Sequence, residues 1–155
     1  MKPFAPLLLE QYQPTRLTEL IAMWRASFEY GVGIADPHSF EEQRQYFLDQ
    51  VLPHCTVRVA LQGADLVGFV AATEESVSQL YVRVGHQHQG IGGALLAWAK
   101  TQSRGSLELF TFARNVGARS FYEKNGFAAI ANGFEPMWQL EDIEYRWVAA
   151  VKKAI

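Results

Sequence analysis

Cysteine is almost absent from this 155-residue chain, since Cys55 stands alone. That excludes an internal disulfide and, with only four scattered histidines, a structural zinc set. A reducing, cytoplasmic setting is the expectation. A basic surplus is missing as well. Fourteen Lys and Arg face sixteen Asp and Glu, for a formal net charge of -2, so there is no excess with which to wrap a nucleic-acid backbone, and nucleic acid is not an expected partner. Long hydrophobic runs are lacking too. After Met1-Lys2-Pro3-Phe4 only Leu7-Leu8-Leu9 forms an apolar patch, too short for a membrane span and unlike an export signal. Neither membrane nor export is expected. Repeats, low-complexity tracts and linkers are also wanting, and the length suits one domain over residues 1–155.

What is present is apolar surface. Hydrophobic residues make up 49%, aromatics 13% and charged residues 19%, enough burial to offset chain entropy. Residues 7–12 read as a strand, and Pro14-Thr15 starts a helix whose stripe is Leu17, Leu20, Ile21, Trp24 and Phe28. Residues 30–38 read as a loop. A second helix opens with a capping box, Ser39 and Glu42, and carries Phe40, Phe47, Leu48 and Val51 before Pro53 stops it. Val57, Val59 and Leu61 alternate, Gly63-Ala64-Asp65 turns the chain, and residues 66–72 form a nearly continuous apolar run that marks a central strand. Glu74-Glu75-Ser76 reverses into a third adjacent antiparallel strand, residues 77–82. A helix follows over 92–103, then a strand over 107–112. Asn115 caps a short helix that reaches Asn125-Gly126, and strands over 127–131 and 143–148 close the count.

The segment Gly85-His86-Gln87-His88-Gln89-Gly90-Ile91-Gly92-Gly93 joins a strand to a helix. Its glycines let backbone approach a ligand with no Cβ in the way. No Ser, Thr, Asp or Asn stands at the helix start, and no Asp or Glu occurs from 76 to 107, although ordinary helix starts favour both. Open amides, a favourable dipole and no local negative charge describe a phosphate or pyrophosphate site; the alternative is a glycine-rich turn that merely packs a helix on a strand. Each charge-assisted hydrogen bond to such an anion is worth roughly 1.5–3 kcal/mol. No Lys-Ser or Lys-Thr follows to make a Walker loop, and Gly90-x-Gly92 lacks the third glycine of a dinucleotide fingerprint. His86 and His88 have no third ligand nearby in sequence, so no metal is expected.

Gln87-His88-Gln89-Gly90-Ile91-Gly92, with Leu80-Tyr81-Val82 before it and Gly93-Ala94-Leu95-Leu96 after it, resembles the signature of the GCN5-related N-acetyltransferase family. Asn115-Val116-Gly117-Ala118-Arg119-Ser120-Phe121-Tyr122-Glu123-Lys124-Asn125-Gly126-Phe127 resembles that family's second block. The resemblance implies a mixed α/β acyl-CoA N-acyltransferase fold, with a central, mostly antiparallel sheet of about seven strands flanked by about four helices. It also implies transfer of an acetyl group from acetyl-CoA to a primary amine of a small molecule or peptide. Val84 stands where many relatives carry proline.

By the same resemblance, the backbone of Leu80, Tyr81 and Val82 holds the pantetheine arm and thioester, and amides of Gln87, His88, Gln89, Gly90, Ile91, Gly92 and Gly93 hold the pyrophosphate. The Asn115 side chain binds pantetheine, the Val82 amide stabilises the oxyanion, and Tyr122 is the general acid. Family members often carry a carboxylate on the strand ahead of the loop, where this chain has Ser78-Gln79. Glu74 and Glu75, slightly earlier, are the candidates for the base through a water chain. Without a carboxylate at that place, a non-catalytic acyl-CoA sensor is the alternative function. Amine recognition falls to Trp24, Phe28 and Tyr30, with Asp36, His38, Phe134 and Trp138 as further candidates. Cys55 reads as inert, which favours direct transfer. Relatives are often dimers, and Tyr145 and Trp147 on the last strand are candidates for such an interface.

Overall fold

The computed structural model describes residues 5–150; the start Met1-Lys2-Pro3-Phe4 lies outside the described residues. The elements run β1 (Leu7–Gln11), α1 (Leu17–Val32), α2 (Phe40–Tyr46), β2 (Thr56–Gln62), β3 (Asp65–Ala72), β4 (Val77–Val82), α3 (Ile91–Gln102), β5 (Ser106–Phe112), α4 (Val116–Lys124), β6 (Ala128–Glu135) and β7 (Leu140–Val148). This is the mixed α/β class, with the seven strands and four helices that the sequence pattern predicts. No helix among the described residues is long and apolar enough to cross a membrane.

The strands divide into two antiparallel sheets, ordered β1-β2-β3-β4 and β5-β7-β6. β3 explains why its sequence is almost wholly apolar. Leu66, Phe69 and Ala71 pack into a core under α1 and α2, while Val67, Val70 and Ala72 pack into a second core with α3, β5 and β7. A strand buried on both faces needs no polar alternation. In the first core Trp24, Phe47 and Phe69 meet edge to face. Leu95, Leu96, Leu107 and Tyr145 are fully buried in the second. Each such aliphatic side chain contributes roughly 1.5–3 kcal/mol by leaving water.

The two sheets touch at one end. Ser76 and Glu108 form an isolated parallel bridge, and Glu108 N–H donates to Glu75 O at 3.0 Å. Past that point β4 and β5 part, which refines the expectation of a single central sheet: parallel neighbours without a continuing ladder splay, and the splay opens a cleft.

Several boundaries differ from the sequence pattern, each for a packing reason. Tyr30-Gly31-Val32 continues α1 rather than forming a loop, because α1 passes so close to α4 that a Cβ at Gly31 would lie 2.9 Å from Asn115 Nδ2. The capping box at Ser39 and Glu42 forms as expected. Beyond Tyr46 the helix widens into a π-type turn over Phe47–Val51, closed by Leu52 N–H to Phe47 O at 2.9 Å, which turns Phe47 and Val51 into the core. β6 runs four residues past Ala131 because β7 pairs with it as far as Glu135 and Leu140. The proposed interface role of Tyr145 does not hold, since Tyr145 is 0% exposed inside the second core. Trp147 packs against that core with Lys100 Nζ 4.9 Å from its ring.

Candidate active site

The cleft left by the splay widens into a cavity of about 580 Å³. β4 forms one wall with Val77, Ser78, Gln79, Leu80 and Tyr81, and β5 forms the other with Leu109, Phe110, Thr111 and Phe112. Trp24 and Phe28 of α1 close it from one side, Asn115 and Tyr122 from the α4 side, and Trp138 between β6 and β7 from above. The aromatic rings are packed on one another: Trp138 lies 4.9 Å from Phe28 and 5.9 Å from Phe112, centroid to centroid.

β4 is the last strand of its sheet, so one of its edges is unpaired beyond the bridge. Arg83 N–H donates to Val67 O on β3 at 2.8 Å, which fixes the alternation of the ladder. Tyr81 therefore turns its main chain to β3, and Leu80 and Val82 turn theirs to the cleft. Ser27 on α1 confirms the direction for Val82, because its Oγ donates to Val82 O at 2.7 Å. The amides of Leu80 and Val82 are left as donors on the open edge.

The loop after β4 adds more donors. Gly90 precedes α3 in the left-handed region at φ 83°, no side chain caps the helix, and its first turn carries no acid. The first helical bond is Ala94 N–H to Gly90 O. Among the described residues, none of the backbone N–H groups from 87 to 93 donates to a protein acceptor, and a Cβ at Gly90 or Gly93 would meet nothing within 4 Å. Gln87 contributes differently from its neighbours: its Oε1 accepts from Gly85 N–H at 2.8 Å, so the side chain braces the loop. The loop lies past the end of the cavity rather than in its lining, which places the two regions in series along β4.

Tyr122 is buried, lines the cavity, and its hydroxyl makes no hydrogen bond to a described residue. Burial, with the neighbouring Tyr81 adding to it, holds the Tyr122 phenol well above its ordinary value. Burial likewise pushes Tyr81 up to about 12; Trp24, donating to its oxygen, works the other way, and the charge of Asp36 adds to the rise. Both phenols are thus protonated throughout the neutral range. Asn115 Oδ1 accepts Ala118 N–H at 3.1 Å and so caps α4, leaving Nδ2 as the free end of that side chain.

The remaining sequence candidates separate. Trp24, Phe28, Asp36, His38 and Trp138 are in the cavity wall, whereas Tyr30 is 68% exposed and Phe134 59% exposed, both outside it. Glu74 and Glu75 are also outside it, at the turn before β4. Arg104 Nε donates to Glu74 Oε2 at 2.6 Å and Arg104 Nη1 stands 3.8 Å from Glu75. Sequence spacing marked Glu42 only as a helix cap and did not single out Glu135 and Asp142; with Asp36 these line the cavity, while no Lys or Arg among the described residues does. They come from α2, β6, β7 and the segment between α1 and α2, and only the closed fold gathers them. Burial pushes the Cys55 thiol up, a hydrogen bond with Ser78 partly offsetting it.

Residues 53–129 match the model of the acetyltransferase (GNAT) domain. No curated protein matches the chain. Solved structures do. The apo-form YjaB of Escherichia coli is 18% identical with a TM-score of 0.75, covering 94% of this chain and 99% of that one. PaiA N-acetyltransferase of Thermoplasma acidophilum, solved in complex with coenzyme A, is 19% identical with a TM-score of 0.73, covering 92% and 99%. A GNAT-family acetyltransferase of Staphylococcus aureus is 18% identical with a TM-score of 0.74, covering 94% and 100%. At such identities the structures speak for the fold, and the domain match speaks for the sequence. The split sheet, the uncapped glycine loop and the matching domain model agree, and the chain belongs to the GCN5-related N-acetyltransferase family.

Proposed function

We propose that this protein transfers an acetyl group from acetyl-CoA to a primary amine by direct attack. One observation carries the reading: two sets of unused main-chain donors, the N–H groups of 87–93 at the start of α3 and those of Leu80 and Val82 on the free edge of β4, stand in series with a cavity that holds Tyr122. An uncapped helix start suits the pyrophosphate. The amides of Leu80 and Val82 suit the amide-bearing pantetheine arm, and Asn115 offers its Nδ2. The Thermoplasma protein, similar in fold, was solved in complex with coenzyme A, which supports the same ligand here.

In the reaction a neutral amine attacks the thioester carbon, and the Val82 N–H meets the oxygen as negative charge develops. The C–S bond then breaks. Tyr122, held as a protonated phenol, supplies the proton that the sulfur takes. A thiol whose deprotonation burial disfavours is a poor nucleophile, so Cys55 does not compete with direct transfer. Four carboxylates, no Lys or Arg among the described residues and a ring of aromatics favour an amine that arrives as a cation on an apolar body. Glu74 and Glu75 receive no part in this scheme, because Arg104 holds them away from the cavity.

Free-thiol release from acetyl-CoA against polyamines, amino acids, aminoglycosides and basic peptides tests the reading. Release with an amine and none without it is the expected result. Calorimetric binding of acetyl-CoA with no release for any amine would instead describe a sensor of acyl-CoA.

A further inference from the structure

Facing β4 across the cavity, the segment between α1 and α2 carries an acid and an imidazole that the scheme above leaves idle. Asp36 is 5% exposed in its side chain. Its Oδ1 accepts His38 N–H at 2.8 Å and lies 3.1 Å from His38 Nδ1, so the carboxylate holds the residue at two points. Arg25 Nη1 stands 3.8 Å from the other oxygen and fixes the opposite side of the group. An ionised carboxylate can only accept, which puts the proton of the neutral ring on Nδ1 and leaves Nε2 as the acceptor. No described residue hydrogen-bonds to Nε2. Trp138 pins the ring edge to face at 5.0 Å, and its own backbone N–H is tied to Glu135 Oε2 at 2.6 Å. Two of the three other acids of the wall are less free, Asp142 being the exception. Glu42 is committed to the capping box, and Glu135 to Trp138.

We propose that His38, oriented by Asp36, is the group that takes the proton from the acceptor amine in this cavity. The proposal rests on the acetyl-transfer reading. The amine arrives as R–NH3+ and gives one proton to Nε2, forming an imidazolium paired with Asp36. The freed lone pair makes the N–C bond, the C–S bond breaks, and the sulfur takes a proton from Tyr122. The nitrogen then loses its second proton, which restores the phenol through solvent, and His38 sheds its proton to water. One amide, one thiol and one released proton result. Asp36 is a positioning residue in this sequence, whereas His38 touches the substrate. The ionisable and charged groups beside the ring or on the same cavity wall are Asp36 on its own segment, Arg25 of α1, Glu42 and Tyr46 of α2, Tyr81 of β4, Tyr122 of α4, Glu135 of β6 and Asp142 of β7.

The experiment is a pH profile of kcat/KM for the full chain, using acetyl-CoA and the panel amine that the wild type turns over fastest. His38→Gln should lower kcat/KM at neutral pH about 10²-fold or more and abolish the limb along which the rate rises as the imidazole deprotonates, with acetyl-CoA affinity by calorimetry unchanged. Added imidazole should restore part of the rate of His38→Ala. Asp36→Asn should lower kcat more than it raises KM for the amine, because the ring loses the carboxylate that holds it at two points. A folded His38→Gln that keeps the limb, whatever its rate, overturns the assignment, as does a His38→Ala that imidazole leaves unchanged. Should the wild type itself release no thiol with any amine, the transfer reading fails first and His38 falls with it.

Discussion

Tyr122→Phe removes one hydroxyl that has no protein partner among the described residues, so little packing changes while the proposed proton donor is lost. Turnover should fall by about 10²–10⁴ with acetyl-CoA affinity nearly kept, measured by steady-state kinetics beside calorimetry. Gly92 makes a second case. A Cβ there would lie 3.2 Å from two atoms of the Phe121 ring and 3.5 Å from Val82 Cγ2, so Gly92→Val crowds the contact between α3 and the residue next to Tyr122. Overpacking of this kind costs about 1–3 kcal/mol. Thermal unfolding should shift down and acetyl-CoA binding weaken, while Gly93→Ala, whose Cβ has open space, should leave the unfolding midpoint undiminished. The glycine at 92 was legible as a place needing no side chain. That the obstacle is Phe121 was not, because the contact joins residues nearly thirty positions apart. The same holds for Tyr30, which helical spacing could not separate from the cavity-lining Trp24 and Phe28, whereas the Asn115 cap of α4 was legible and forms.

At the scale of elements, local chemistry was the most readable part. Ser39 and Glu42 announce the start of α2, and both reciprocal bonds form, at 3.1 and 3.2 Å. Ser39→Ala should cost about 0.5–2 kcal/mol of stability, read from chemical denaturation. Because the segment bearing Asp36 and His38 leads directly into this cap, its loss should also loosen the amine side of the cavity and raise KM for the amine more than for acetyl-CoA. Periodicity likewise announced β3 and the stripe of α1. What it could not supply was where elements end when a tertiary partner decides. β6 extends because β7 lies beside it, and α1 extends because Gly31 meets Asn115. The parting of β4 and β5 is of the same kind, since strand signals say which residues are extended and not which edges remain unpaired.

For the whole molecule, the cleft between two sheets is the feature on which the proposed function depends, and it is lined by phenols that cannot ionise cheaply. Tyr81 has a folded-state value near 12 against an ordinary 10.0, so the native state keeps a proton that the unfolded chain releases. Its contribution is fully present below pH 10.0 and is lost as pH rises through about 12, and the raised Tyr122 acts in the same direction. Denaturation midpoints should therefore fall across that alkaline window, and less steeply in Tyr81→Phe. The family and the uncapped glycine loop were readable from two motifs in series; the acid-lined, aromatic cavity was not, because its walls are drawn from α1, the following segment, β4, β5, α4 and the β6–β7 turn. The central claim is that the main-chain donors of 87–93 hold a diphosphate, and amide-resolved NMR of the 15N-labelled protein titrated with coenzyme A tests it most directly. The largest shifts should fall on the amides of 87–93 and continue to Val82 and Leu80. Saturable binding of coenzyme A that leaves those amides in place would contradict it.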